Sequence, residues 1–176
     1  MQDTQLNTDY IAGFFDGEGS VMLHVFKRTS QGNPRFIIRP SITITQIDEN
    51  IIKQIQLALG YGRIVKKRRV KGEIGKECWH DCYALVIERI DHLWLFVREF
   101  KPLCHANKKL EQLSILESVL PYFYKRGMRP SNFNDHEYQI ERRKGLLEAV
   151  KSMRKLNPYK KQKYSIEQLY KMFLIQ

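Results

Sequence analysis

The sequence predicts a mixed α/β (α+β) protein, on three observations. Helix-spaced apolar residues and runs rich in Val, Ile, Thr and Phe alternate along the first two-thirds of the chain. The strand-like runs come in pairs, each joined by a short polar connection. The last third carries helical periodicity alone.

Element by element, Thr8 to about Asp16 reads as a helix, with Thr8 as cap, bulk from Tyr10, Ile11, Phe14 and Phe15, and a stop at Gly17 and Gly19. Ser20–Phe26 and Phe36–Gln46 read as strands one and two, joined through Thr29–Pro34. Asp48 caps a second helix, whose Ile51, Ile52, Ile55 and Leu59 recur at helical spacing up to Gly60. Tyr61–Val70 and Trp79–Ile87 are strands three and four, bracketing the glycine-bearing loop Lys71–Lys76. Asp91 then opens a third helix that runs through Phe100 to the stop at Pro102. Beyond it lie helices over Asn107–Leu120, Asp135–Leu156 and Ser165–Leu174, the last opened by the Ser165/Gln168 capping box. No internal repeat is present.

A chain of 176 residues, 43% apolar and 11% aromatic, is long enough for one domain with a real core. Residues 1–120 read as that core unit, and 121–176 as a helical extension packed on the same domain. Thirty Lys and Arg against 19 Asp and Glu leave a formal charge of +11. Such an excess costs self-repulsion unless a polyanion is the intended neighbour. No apolar run approaches the roughly 20 residues that span a bilayer, and Met1–Gln5 lacks the basic and then apolar regions of a signal peptide. The expectation is a protein of the cytoplasm, nucleoid or organelle matrix, neither membrane-inserted nor secreted. Three cysteines, Cys78, Cys82 and Cys104, are an odd number and read as free thiols. Cys78, His80, Cys82 and the pair Cys104-His105 make a superficial zinc set. Alternation along a strand does not close a tetrahedron, however, and paired C-x2-C spacing is missing.

The segment that carries chemistry is Asp9–Val21. In it two acidic residues, Asp16 and Glu18, sit among Gly13, Gly17 and Gly19 at a helix-to-strand junction. Gly13 and Gly17, four apart, share a helical face without side chains, across which another helix can approach closely. The nine residues Ile11-Ala-Gly-Phe-Phe-Asp-Gly-Glu-Gly19 closely resemble the signature of the LAGLIDADG homing endonucleases, by identity or like-for-like apolar and acidic replacement. The element order read above agrees with that family over about Thr8 to Leu120.

The resemblance implies an αββαββα fold whose antiparallel sheet forms a saddle over double-stranded DNA. One motif per chain implies a homodimer with signature helices crossing at the two-fold axis, and Ala12, Gly13 and Gly17 as close-contact positions. It further implies a site-specific, Mg2+-dependent, staggered double-strand break in a long pseudo-palindromic site, with Ca2+ supporting binding without cleavage. An intron location for the gene belongs to the same implication. Glu18 corresponds to the metal-binding acid and the Gly17 carbonyl to the neighbouring backbone ligand; hard oxygen donors suit Mg2+. Asp16 is expected to serve a structural role at the helix end, with direct ligation of the ion as its alternative. Gln46 corresponds to the side chain that orders the attacking water, with a plain surface glutamine as its alternative. Lys108, preferred over Lys109, corresponds to the lysine that offsets phosphate charge.

If the sheet covers DNA, alternation along each strand becomes a test of function. Strand two presents Arg35, Arg39, Ser41 and Thr43 on one face, against Phe36, Ile38, Ile42 and Ile44 on the other. Strand three offers Arg63, Lys67 and Arg69, strand one His24 and Arg28, and strand four Asp81 and Tyr83 as the DNA-facing set. Two other classes of function remain open on this evidence. One is an RNA-splicing maturase that binds intron RNA on the same scaffold; the other is a DNA-binding regulator that does not cut.

Overall fold

The computed structural model describes residues 6–30, 33–67, 81–123, 135–158 and 163–174. The element order is α1 (Thr8–Glu18), β1 (Gly19–Ser30), β2 (Asn33–Gln46), α2 (Glu49–Leu59), β3 (Arg63–Lys67), β4 (Cys82–Ile87), α3 (Ile90–Phe100), α4 (Asn107–Val119), α5 (His136–Leu156) and α6 (Ile166–Leu174). The mixed α/β reading and the αββαββα order of the first two-thirds hold. The four strands form one antiparallel sheet in the order β1-β2-β4-β3.

Local chemistry accounts for the boundaries. Asn7, not Thr8, caps α1, its side-chain oxygen accepting from Tyr10 N at 2.7 Å. Asp48 caps α2, and Gly60 closes it at φ 72°, a left-handed conformation that glycine enters without a Cβ penalty. α3 starts at Ile90 without a side-chain cap; Asp91 instead accepts from Arg89. At α6, Ser165 and Gln168 exchange both capping-box hydrogen bonds.

Antiparallel register decides which side chains share a face. Val21 pairs with Ile42, Ile42 with Ile87, and Ile44 with Leu85; these are buried against the helices. That layer holds the main core, with Ile11, Phe15, Ile52, Ile55, Leu93, Phe96, Leu113 and Leu116 fully enclosed. Phe15 meets Phe96 edge-on at 5.0 Å, and Phe96 stacks on Phe100 at 4.4 Å. A second apolar cluster lies under the far end of the β1–β2 hairpin, where Phe36 and Ile38 meet Leu147, Val150, Leu169 and Phe173 of α5 and α6. No described helix is long and apolar enough to cross a membrane.

Candidate functional site

The junction of α1 and β1 has no loop: Glu18 ends the helix and Gly19 opens the strand, its N–H donating to Phe15 O. The turn is this tight because position 19 lacks a side chain. A Cβ there would lie 2.1 Å from Phe15 Cδ2 and 2.4 Å from Phe15 O. Glu18 is thereby left exposed at the carbonyl end of a helix, where backbone oxygens lack intrahelical partners and the macrodipole favours a cation.

The start of α4 is fastened to this junction at two points. Asp16 Oδ2 accepts from His105 N at 2.7 Å and from Ala106 N at 3.2 Å, supplying from another element the cap that Ala106 cannot. Lys109 Nζ, in the first turn of α4, donates to Gly19 O and lies 5.4 Å from the centre of the Phe15 ring. Burial, and next the neighbouring Lys108 charge, lower the Lys109 pKa; Asp16, Cys104 and Glu18 pull the other way. The two contacts are complementary, an acid at a helix N-terminus and an ammonium at a helix C-terminus.

The two lysines at the start of α4 are placed differently. Lys108 is exposed, whereas Lys109 reaches the junction, because it lies four residues before Leu113 and seven before Leu116 on the inward face of α4. Ala12 departs from its expected place: at 1% exposure it is packed in this chain's own core rather than on the open side of α1. Gly13 and Gly17 are exposed, and a Cβ at either would meet nothing within 4 Å. Gln46 ends β2 at the same end of the sheet as Glu18, since Gly19 pairs with Ile44, and its Oε1 accepts from Ile47 N at 2.8 Å.

Cys104 is buried beside Asp16, and burial together with that carboxylate pushes its thiol up to about 12, so it stays a protonated, unreactive thiol at neutral pH. Cys78 and His80 fall outside the described residues. Among those described, no cluster of three or more His, Cys, Asp or Glu could hold a metal ion. One exposed carboxylate and free carbonyls at a helix end do fit Mg2+, which keeps several water or phosphate ligands rather than a full protein cage.

The face of the sheet turned away from the helices carries Met22, His24, Phe26 and Arg28 on β1, paired across with Ser41, Arg39, Ile37 and Arg35 on β2. Arg28 and Arg39 are exposed and His24 half-buried; the Arg35 side chain and all of Arg69 lie outside the described residues. Ser41 and Thr43 occupy this face as read from alternation, yet at 1% and 7% exposure they form its floor rather than projections from it. The Ser41 hydroxyl has no hydrogen-bond partner among the described residues. Arg63 and Lys67 share the face; Arg63 pairs with Glu88 at 3.1 Å, and Lys67 spans β4 to Thr45 Oγ1 at 3.4 Å.

Strand four is corrected. Register puts Cys82, Ala84 and Val86 on the open side with Thr45 and Thr43, so Tyr83 lies on the helix side with Leu85 and Ile64. Asp81 bonds Lys66 Nζ at 2.7 Å, and that ammonium lies 5.7 Å from the Tyr83 ring centre. A one-residue error in phase moves every side chain of a strand to the other face.

The sequence model described as LAGLIDADG endonuclease matches residues 11–115, more than half of the chain, starting at the junction helix and ending inside α4. The chain belongs to the LAGLIDADG endonuclease family. Solved structures of homing endonucleases share the fold over nearly the whole chain. The homing endonuclease I-CvuI, determined with its target in the presence of calcium, is 18% identical with a TM-score of 0.66, over 96% of this chain and 92% of its own. The archaeal intron-encoded homing endonuclease I-Vdi141I, determined with DNA, is 19% identical with a TM-score of 0.68, over 94% and 93%. The group I intron-encoded I-CeuI, also determined with DNA, is 19% identical with a TM-score of 0.69, over 98% of this chain and 78% of its own. Comparison with curated protein sequences gives no match. Within this LAGLIDADG endonuclease the matched span takes in Glu18 at the end of α1 and Lys109, the cation that α4 brings to the same junction.

Proposed function

We propose that this LAGLIDADG endonuclease is a homing enzyme that makes a Mg2+-dependent, staggered double-strand break in a long, nearly palindromic DNA site, acting as a homodimer. The observation that carries the reading is the exposed Glu18 carboxylate at a helix carbonyl end, with the half-buried Lys109 ammonium bonded to the adjacent Gly19 carbonyl. Glu18 and the Gly17 carbonyl would hold Mg2+; when bound, the ion lowers the pKa of a water and offsets charge on the phosphate. Lys109 supplies a fixed positive charge beside the same point, where developing charge on a phosphoryl oxygen is stabilised without reorganisation. Gln46, once released from Ile47 N, would offer a side-chain amide at the same end of the sheet for orienting a water.

The dimer reading rests on Gly13 and Gly17. Glycine in an exposed helix costs about 1 kcal/mol relative to alanine, and nothing among the described residues occupies the space their missing Cβ atoms leave. Close approach by a second α1 gives that cost a return, and the half-exposed Tyr10 and Phe14 flank the same stripe. Two copies also present the basic open face twice, as a two-fold DNA site requires.

The test is selection of bound duplexes from randomised DNA in Ca2+, followed by exchange into Mg2+. Double-strand cutting of a nearly palindromic winner is the expected result. A specific winner that stays intact in Mg2+ would favour a regulator, and the absence of any specific duplex would favour an RNA partner.

A further inference from the structure

Phe26 pairs across the hairpin with Ile37, and the Phe26 ring is 47% exposed on the open face. The reverse side of the same hairpin is covered, Phe36 and Ile38 packing on α5 and α6. The fold thus encloses one apolar side of these two strands and leaves an aromatic ring uncovered on the other. The ring has fixed neighbours: the Arg39 guanidinium carbon lies 5.5 Å from its centre and the His24 ring 5.8 Å away. By register, every β1 and β2 residue on this face from Ser20 to Arg28 and from Arg35 to Thr45 is apolar, hydroxylic or basic, and none is acidic. The occupant that suits the patch is therefore a polyanion that also offers apolar groups at its edge. The major groove of DNA does so through the 5-methyl group of thymine, which phenyl and aliphatic side chains contact, while arginine takes guanine O6 and N7.

We infer that Phe26 and Ile37 form an apolar shelf that selects thymine at one position in each half of the target, and that Arg39, held against the Phe26 ring, selects guanine in the adjacent base pair. The inference rests on the proposed DNA reading and goes beyond it by naming the bases and the side chains that choose them. Adjacency follows from scale, since stacked bases rise about 3.4 Å per strand step and a side-chain pair 5.5 Å apart spans neighbouring base pairs.

In the test, each thymine of the selected duplex is replaced singly by uracil, which removes only the methyl group, and each guanine by 7-deazaguanine, which removes only the N7 acceptor. Binding is measured in Ca2+ for the parent, Phe26→Ser, Ile37→Thr and Arg39→Ala. Uracil at one thymine per half-site should weaken parent binding about fourfold, the worth of one buried methyl group. Phe26→Ser should bind both versions equally; Ile37→Thr gives a second reading on the same shelf if Phe26→Ser does not fold. 7-Deazaguanine beside that thymine should weaken the parent and leave Arg39→Ala unaffected. Parent binding indifferent to every thymine-to-uracil exchange, or uracil effects equal in the parent and both shelf variants, would overturn the inference while leaving the endonuclease reading intact. Failure to select any specific duplex would overturn both.

Discussion

Single residues at the α1–β1 junction have opposite tolerances that follow from what surrounds them. At Gly19 the backbone is extended and open to any residue, but an added Cβ would overlap Phe15. Gly19→Ala should therefore destabilise the protein by about 1–3 kcal/mol, as overpacking typically does, with a matching fall in the midpoint of denaturant unfolding. The lysines separate in the same way. Lys109→Ala removes the cation that bonds Gly19 O and should reduce cutting by at least about a hundredfold, whereas Lys108→Ala, at an exposed position, should leave the rate within about threefold. Single-turnover cleavage of one selected site by both variants decides between them. The sequence already held the signal for this choice, because Lys109 keeps the phase of Leu113 and Leu116. Family spacing near Asn107 carried the choice to Lys108 instead, whereas the helical phase points to Lys109.

At the level of elements, α4 depends on α1 for its start. Its first backbone N–H groups have no side-chain cap within the helix, and Asp16 supplies one from 89 residues away. Asp16→Ala should cost about 1–2 kcal/mol and speed amide exchange at His105 and Ala106; Asp16→Asn, which keeps an acceptor oxygen, should recover most of both. The assignment of Asp16 to the helix end was readable from the motif, but its partner was not, since contacts between distant segments leave no local periodicity. The strands show the same divide. β2 was legible because apolar and polar residues alternate from Ile38 to Ile44. β4 was not: Cys82–Ile87 is apolar on both faces, so alternation carried no phase, and the pairing of Tyr83 with Gln46 and Lys66 settled it.

For the whole molecule, the proposed dimer makes the exposed glycine stripe of α1 a link between stability and assembly. Gly13→Ala in an isolated chain should be neutral or stabilising by up to about 1 kcal/mol, because its Cβ meets open space and alanine is the better helix former. Gly13→Leu should keep the fold yet shift the sedimentation of the free protein toward the monomer; an unchanged dimer would place the interface elsewhere. Glu18 is the point on which the account rests, since it lies outside the core and ends the signature helix beside the Lys109 ammonium. The most direct measurement compares the parent with Glu18→Gln on the same selected duplex, reading binding in Ca2+ and double-strand cutting in Mg2+. The account predicts binding within about tenfold of the parent and no detectable cutting, because the change removes a metal-binding charge and little phosphate contact. Cutting by Glu18→Gln at the parent rate would contradict it.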